Sequence, residues 1–96
     1  MYFAISCIDK PGALDLRMAT RPAHIDYLKT HESAVKLAGP CLADDGETMN
    51  GSLIIFEAED RAAAEAFSAA DPYTLAGLFE TVLIRHWKWT IGNPYD

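Results

Sequence analysis

Ninety-six residues carrying 14 acidic side chains against 8 Lys and Arg, with a formal charge of -6, predict one small acidic domain over residues 1–96: room for a modest core, and a size at which chains often gain stability by associating. The charge repels phosphate backbones and argues against a nucleic-acid partner. No window approaches the roughly 18 apolar residues of a membrane span, and the start MYFAISCID lacks the basic segment and long apolar run of a signal peptide, so a soluble, cytoplasmic chain without a membrane partner is expected.

YFAISCI (2–8) is rich in strand formers and is followed by the turn residues DKPG, which predicts a first strand ending near Asp9. Residues 13–33 read as helix in two pieces, with Thr20 as N-cap and Pro22 near the first helical positions of the second piece. AVKLAGPCLA (34–43) places Val35, Leu37, Gly39 and Cys41 on one face, and its Gly-Pro pair points to an edge strand or a bulge. After the polar turn DDGETMNG, SLIIFEA (52–58) predicts a buried third strand. Asp60 is placed to cap the helix RAAAEAFSAA, in which Phe67 is the one bulky anchor. LFETVLIRHWKWTI (78–91) alternates around Val82, Ile84, Trp87 and Trp89 and predicts a long last strand.

The order β-α-β-β-α-β is that of a ferredoxin-like α+β fold with a four-stranded antiparallel sheet. Two helices cover one face of such a sheet, yet the last strand carries Leu83, Trp87 and Trp89 on one face and Val82 and Ile84 on the other. The uncovered apolar face predicts a homodimer, since a patch of that kind is rarely left in water. Cys7 and Cys41 lie in apolar runs without CxxC spacing and read as small buried hydrophobes.

TRPAHIDYL, LAGPCLADDG, GSLIIFEAED, ADPYTLAGLFETV and RHWKW, in that order along nearly the whole chain, resemble the YCII-related proteins. The resemblance implies a dimeric α+β barrel, in which two ferredoxin-like sheets pack face to face. It also implies a pocket lined by a first-helix histidine, here His24, and by the aspartate of an Asp-Pro motif, here Asp71 beside Pro72 and Tyr73. Members with known chemistry act as small lyases or dehalogenases on ring substrates, such as dehydrochlorination of a chlorinated hydroxyquinol.

The residues themselves are compatible with those roles. Arg21, His24 and Leu28 recur at helical spacing, which puts His24 at the margin of a buried stripe. An imidazole titrates near neutral pH, and a neighbouring carboxylate fixes its tautomer. Asp71 equally reads as the N-cap of a short helical turn, with Pro72 at N1 and Gly77 ending it. Ser52 either lines the pocket or bonds the backbone. Arg21 either holds a substrate oxygen or pairs with Asp71 or Asp26. Gly39 and Pro40 shape their strand and bring backbone N–H groups near the pocket, and Tyr73 sits beside the acid as a further binding candidate. Trp87 and Trp89 read as core or interface anchors, and His31 and His86 as solvated or packing residues. No HxH, HxxxH or CxxC spacing points to a metal, and no cofactor is implied. Two functions remain from the sequence: a cofactor-free enzyme moving a proton on a ring-like small molecule, as a lyase or dehydrochlorinase or an isomerase, or a non-catalytic dimeric metabolite-binding or accessory module.

Overall fold

Alternate residues of the first strand have opposite fates. Phe3, Ile5 and Cys7 are buried while Tyr2, Ala4 and Ser6 are only partly so, the period-two pattern of a strand with one face on a core. The computed structural model describes residues 1–95. It contains β1 (Tyr2–Asp9), α1 (Leu14–Thr30), β2 (Val35–Leu42), β3 (Met49–Glu57), α2 (Arg61–Ala69), α3 (Pro72–Leu75) and β4 (Phe79–Trp87). The strands form one antiparallel sheet in the order β2-β3-β1-β4, the ferredoxin-like arrangement.

Register decides which side chains meet. Phe3 pairs with Phe56 and His86, Ile5 with Ile54 and Ile84, and Cys7 with Ser52 and Val82, so these residues share the face under the helices. Phe67 of α2 is buried and stacks on Phe56 with centroids 3.9 Å apart. The Tyr27 hydroxyl donates to the Phe67 carbonyl at 2.8 Å and ties α1 to α2. Gly51 is required by a close approach of β1: a Cβ there would lie 2.5 Å from the Cys7 carbonyl oxygen.

Four expectations are revised, the first by a register shift in β2 that turns Val35 to the core side opposite Phe56 while Leu37, Gly39 and Cys41 keep the other face. Residues 14–30 are one 17-residue helix with Pro22 inside it, not two pieces with Thr20 as a cap. Proline removes the N–H that Met18 would bond, but both residues face solvent, where water replaces the lost partner, and the packed residues on the other side keep the helix intact. The last strand ends at Trp87, and Trp89 packs against Tyr2, Trp87 and Tyr95 beyond it. Cys41 is exposed rather than buried, because it lies on edge strand β2.

The second face of the sheet carries Ile8, Leu37, Leu53 and Leu83, exposed at 55, 52, 47 and 52%. No helix of the described residues is long and apolar enough to cross a membrane.

Candidate active site

The buried stripe of α1 forms one wall of a cavity of about 130 Å³. Arg17, Arg21, His24 and Leu28 follow one another at helical spacing along it. Ser52 and Ile54 of β3 form its floor, the Ala38–Pro40 stretch of β2 its rim, and Tyr73 closes it from α3.

Asp71 is fixed from two sides. Its backbone is extended, at φ -60° and ψ 130°, as the N-cap of α3, and its Oδ1 accepts the Tyr73 N–H at 2.9 Å. Pro72 occupies the first turn, where its missing N–H costs least, and Gly77 ends the turn at φ 76°. The same carboxylate lies 2.9 and 3.1 Å from Nδ1 of His24. Both residues are buried, His24 at 6% and Asp71 at 3% exposed. A carboxylate only accepts, so Nδ1 carries the proton of this bond and Nε2 is left as the acceptor of the neutral ring. Against the imidazole lies the Tyr73 ring, centroids 3.9 Å apart and planes 19° from parallel. Tyr73 is fully buried, yet its hydroxyl has no hydrogen-bond partner among the described residues.

A second polar group underlies the cavity. Arg17 is 1% exposed and donates to Asp9 through Nε at 2.6 Å and Nη2 at 2.9 Å. Its Nη2 also donates to Ser52 Oγ at 2.9 Å, and its guanidinium carbon lies 4.6 Å from the Tyr73 ring centroid. Burial works against the Arg17 charge, but the hydrogen bond and the charge of Asp9 more than offset it and raise the pKa. Burial likewise raises the Tyr73 phenol, with Arg17 and Arg21 pulling the other way, so the hydroxyl remains a proton donor at neutral pH. Burial pushes the Cys7 thiol up to about 12, with Asp71 adding to the shift.

The structure therefore brings His24, Asp71, Tyr73, Ser52 and Arg21 together. Arg21 pairs with neither Asp71 nor Asp26; among the described residues it has no ion-pair partner. Gly39 contributes backbone only, since the register sets it opposite Leu53 on the far face of the sheet. His31 and His86 lie outside the cavity: His31 contacts the Tyr27 carbonyl and the Phe67 ring, and His86 stacks on Phe3. Trp87 and Trp89 are half-buried against each other, also outside it. Among the described residues no group of three or more His, Cys, Asp or Glu is gathered for a metal ion. Arg17 and Asp9 were not anticipated. The available signal was that Arg17 continues the Arg21–His24–Leu28 stripe one turn toward the N-terminus, with Asp9 at the end of the preceding strand.

Fold and site together define a ferredoxin-like α+β protein with a His–Asp pocket between its first helix and its sheet. Residues 1–88 match the YCII-related domain, and the chain belongs to that family. It is 36% identical over 95 residues to protein YciI of Escherichia coli O6:H1 (strain CFT073), covering 92% of this chain and 97% of that one. Among solved structures, 5-chloro-2-hydroxyhydroquinone dehydrochlorinase from Burkholderia phenoliruptrix AC1100, in complex with 2,5-dihydroxybenzoquinone, superposes with a TM-score of 0.85 at 36% identity, over 92% of this chain and 94% of that one. A dimeric ferredoxin-like protein from Jannaschia sp. CCS1 shares the fold alone, at 16% identity and a TM-score of 0.51 over 90 and 98% of the two chains.

Proposed function

We propose that the chain is a small cofactor-free enzyme that moves a proton on a single-ring, oxygen-bearing substrate, with elimination of a leaving group or isomerisation as the outcome. The observation that carries this reading is the buried His24–Asp71 pair, 2.9 Å apart, on a cavity that His24 itself lines. Asp71 holds the proton on Nδ1 and leaves Nε2 as the base for an O–H or C–H proton of the ring. The cavity of about 130 Å³ suits one six-membered ring, since a void on the order of 150 Å³ takes benzene. Arg21 is a cation without an ion-pair partner among the described residues and suits a substrate on which negative charge develops. The dehydrochlorinase relative supports the reaction class. In such a step two ring hydroxyls become carbonyls, one of their protons passes to the carbon that loses chloride, the other leaves with the chloride as HCl, and no external electron acceptor is needed.

We also infer that two chains pair through the sheet face bearing Ile8, Leu37, Leu53 and Leu83, whose exposure in one chain supports a partner sheet as the cover.

The test is chloride release from 5-chloro-2-hydroxyhydroquinone under anaerobic conditions. Wild-type protein is expected to accelerate it, and His24→Ala to lose roughly a hundredfold or more of that acceleration. Binding of the ring without any rate above buffer would favour the non-catalytic metabolite-binding module.

A further inference from the structure

The two tryptophans of the chain stand together at one end of the sheet. Trp87 closes β4 opposite Tyr2, whereas Ser52 and Ile54, the floor of the first-helix cavity, lie opposite Cys7 and Ile5 further along β1. Beyond the strand the chain folds back over the sheet. Trp89 meets both Tyr2 and Trp87 with centroids 5.7 Å apart, Tyr95 packs edge-on against Trp89, and Lys36 Nζ of β2 lies 4.6 Å from the Tyr95 ring centroid. These contacts hold the tail in place beside a cleft of about 470 Å³, with Tyr2, His86, Trp87, Lys88, Trp89 and Asn93 among its walls. Small-molecule sites fall in the range of roughly 300–1,000 Å³.

The polar groups of this cleft are biased to one sign. Lys88 is a cation without an ion-pair partner among the described residues, and no Asp or Glu lines the cleft, in a chain whose net charge is -6. Asn93 has already used its acceptor: Oδ1 takes the Tyr95 N–H at 2.9 Å, and the amide nitrogen keeps its protons to give. An aromatic cage for an ammonium ion would gain from an acid and lose by a lysine. Indole faces beside free donors suit a flat ring that carries its own negative charge.

We propose that this cleft is a second ligand site, one that takes a planar aromatic carboxylate with its ring on Trp87 and Trp89 and its charge on Lys88 and Asn93. The site is independent of the His24–Asp71 reading and shares no lining residue with the first-helix cavity. It is also displaced from the open sheet face, since Leu53 and Leu83 pair with Ser6, four positions along β1 from Tyr2, and Ile8 lies further still.

Contact quenching of the indoles reads this site alone, because no tryptophan lines the first-helix cavity. The probes share one quenching ring and differ in charge: 4-nitrobenzoate, 4-nitrobenzyl alcohol and 4-nitrobenzyltrimethylammonium. With wild type, quenching by 4-nitrobenzoate is expected to saturate, with a dissociation constant at least roughly tenfold below that of the alcohol. The cation should quench only by collision. Lys88→Met and Asn93→Asp should each erase the preference for the carboxylate, and the aspartate still accepts the Tyr95 N–H, so the tail keeps its turn. Trp87→Phe and Trp89→Phe each leave one indole, which should report saturation by the same probe. Quenching that rises linearly and equally with all three probes would show exposed indoles without a site and overturn the proposal. Tighter binding of the cation, or an unaltered preference in both Lys88→Met and Asn93→Asp, overturns it as well. Saturation confined to Leu53→Asp, which puts a charge on the open sheet face, would make the cleft part of an interface between copies and overturn it too.

Discussion

Tyr73 meets the His–Asp pair twice. Its backbone N–H is held by Asp71 Oδ1 at 2.9 Å, and its ring lies flat against His24 with centroids 3.9 Å apart. One carboxylate thus starts a four-residue helix, fixes an imidazole and sets the ring that covers it. Cap and orienter are a single geometry here, because α3 is packed against α1 and brings its N-cap, Asp71, onto the His24 stripe.

Asp71→Asn separates the two duties. Asparagine caps helices about as well as aspartate, so the melting midpoint should correspond to a loss of no more than about 1 kcal/mol. Its side chain is neutral and can present an amide N–H to Nδ1, which frees the ring to take the other tautomer. Turnover of a ring substrate is expected to fall by roughly two to four orders of magnitude. Turnover within twofold of wild type would reduce Asp71 to a helix start.

Asp9→Asn tests the buried Arg17–Asp9 pair beneath the cavity. Arg17 and Asp9 have side chains only 2 and 5% exposed, and stripping one partner from a buried pair leaves a charge without compensation. A cost of about 3–5 kcal/mol is expected from urea denaturation. Replacing both residues together, as Asp9→Leu with Arg17→Met, should cost much less than the sum of the single changes. A cost below about 1 kcal/mol for Asp9→Asn would mean that the guanidinium is not held as described.

The residues that were legible in the sequence and those that were not differ in kind. Alternation and turn residues located the four strands because each pattern is local, and Asp60 was readable as a cap and Phe67 as an anchor for the same reason; Asp60 Oδ1 indeed accepts the Ala63 N–H at 2.9 Å. Pro22 reads as a helix start, but that preference is weaker than the packing of a long helix that buries Arg17 and His24 and whose Pro-bearing side faces water. The proximity of His24 and Asp71 was reached through family resemblance; spacing alone does not bring together residues 47 positions apart. Arg17 escaped because charged residues are rarely buried, and its burial depends on Asp9 and Ser52 arriving from two different strands. Cys41 was misjudged because apolar neighbours in sequence do not say whether a strand lies at the edge of its sheet.

Cys7 gives a pH signature. Its thiol is held up to about 12 from an ordinary 9.0, chiefly by burial. The folded state therefore keeps the proton while the unfolded chain releases it, and the stability tied to this group is fully present below pH 9 and is lost as pH rises toward 12. The decline attributable to Cys7 should approach about 1.4 kcal/mol per pH unit, read as the difference between wild type and Cys7→Ala. In a Cys41→Ser variant at pH 8 a thiol reagent should label nothing until denaturant is added. Prompt labelling of the native variant would contradict the burial of Cys7.

Assembly is the last expectation. Ile8, Leu37, Leu53 and Leu83 lie on the side of the sheet away from the helices, each about half exposed. Their apolar area has no cover within the described chain other than neighbouring side chains, and burying it against the same face of a second copy gives an isologous interface. Sedimentation at micromolar concentration should therefore give a dimer. Leu53→Asp and Leu83→Asp each place a charge on that face, and each should shift the protein toward monomer. The His24–Asp71 pair lies under the helices on the opposite side, within one chain, so ring binding by these variants should persist while the assembly dissociates. A wild type that sediments as a stable monomer would remove the partner sheet and leave the open face as a surface in need of another explanation.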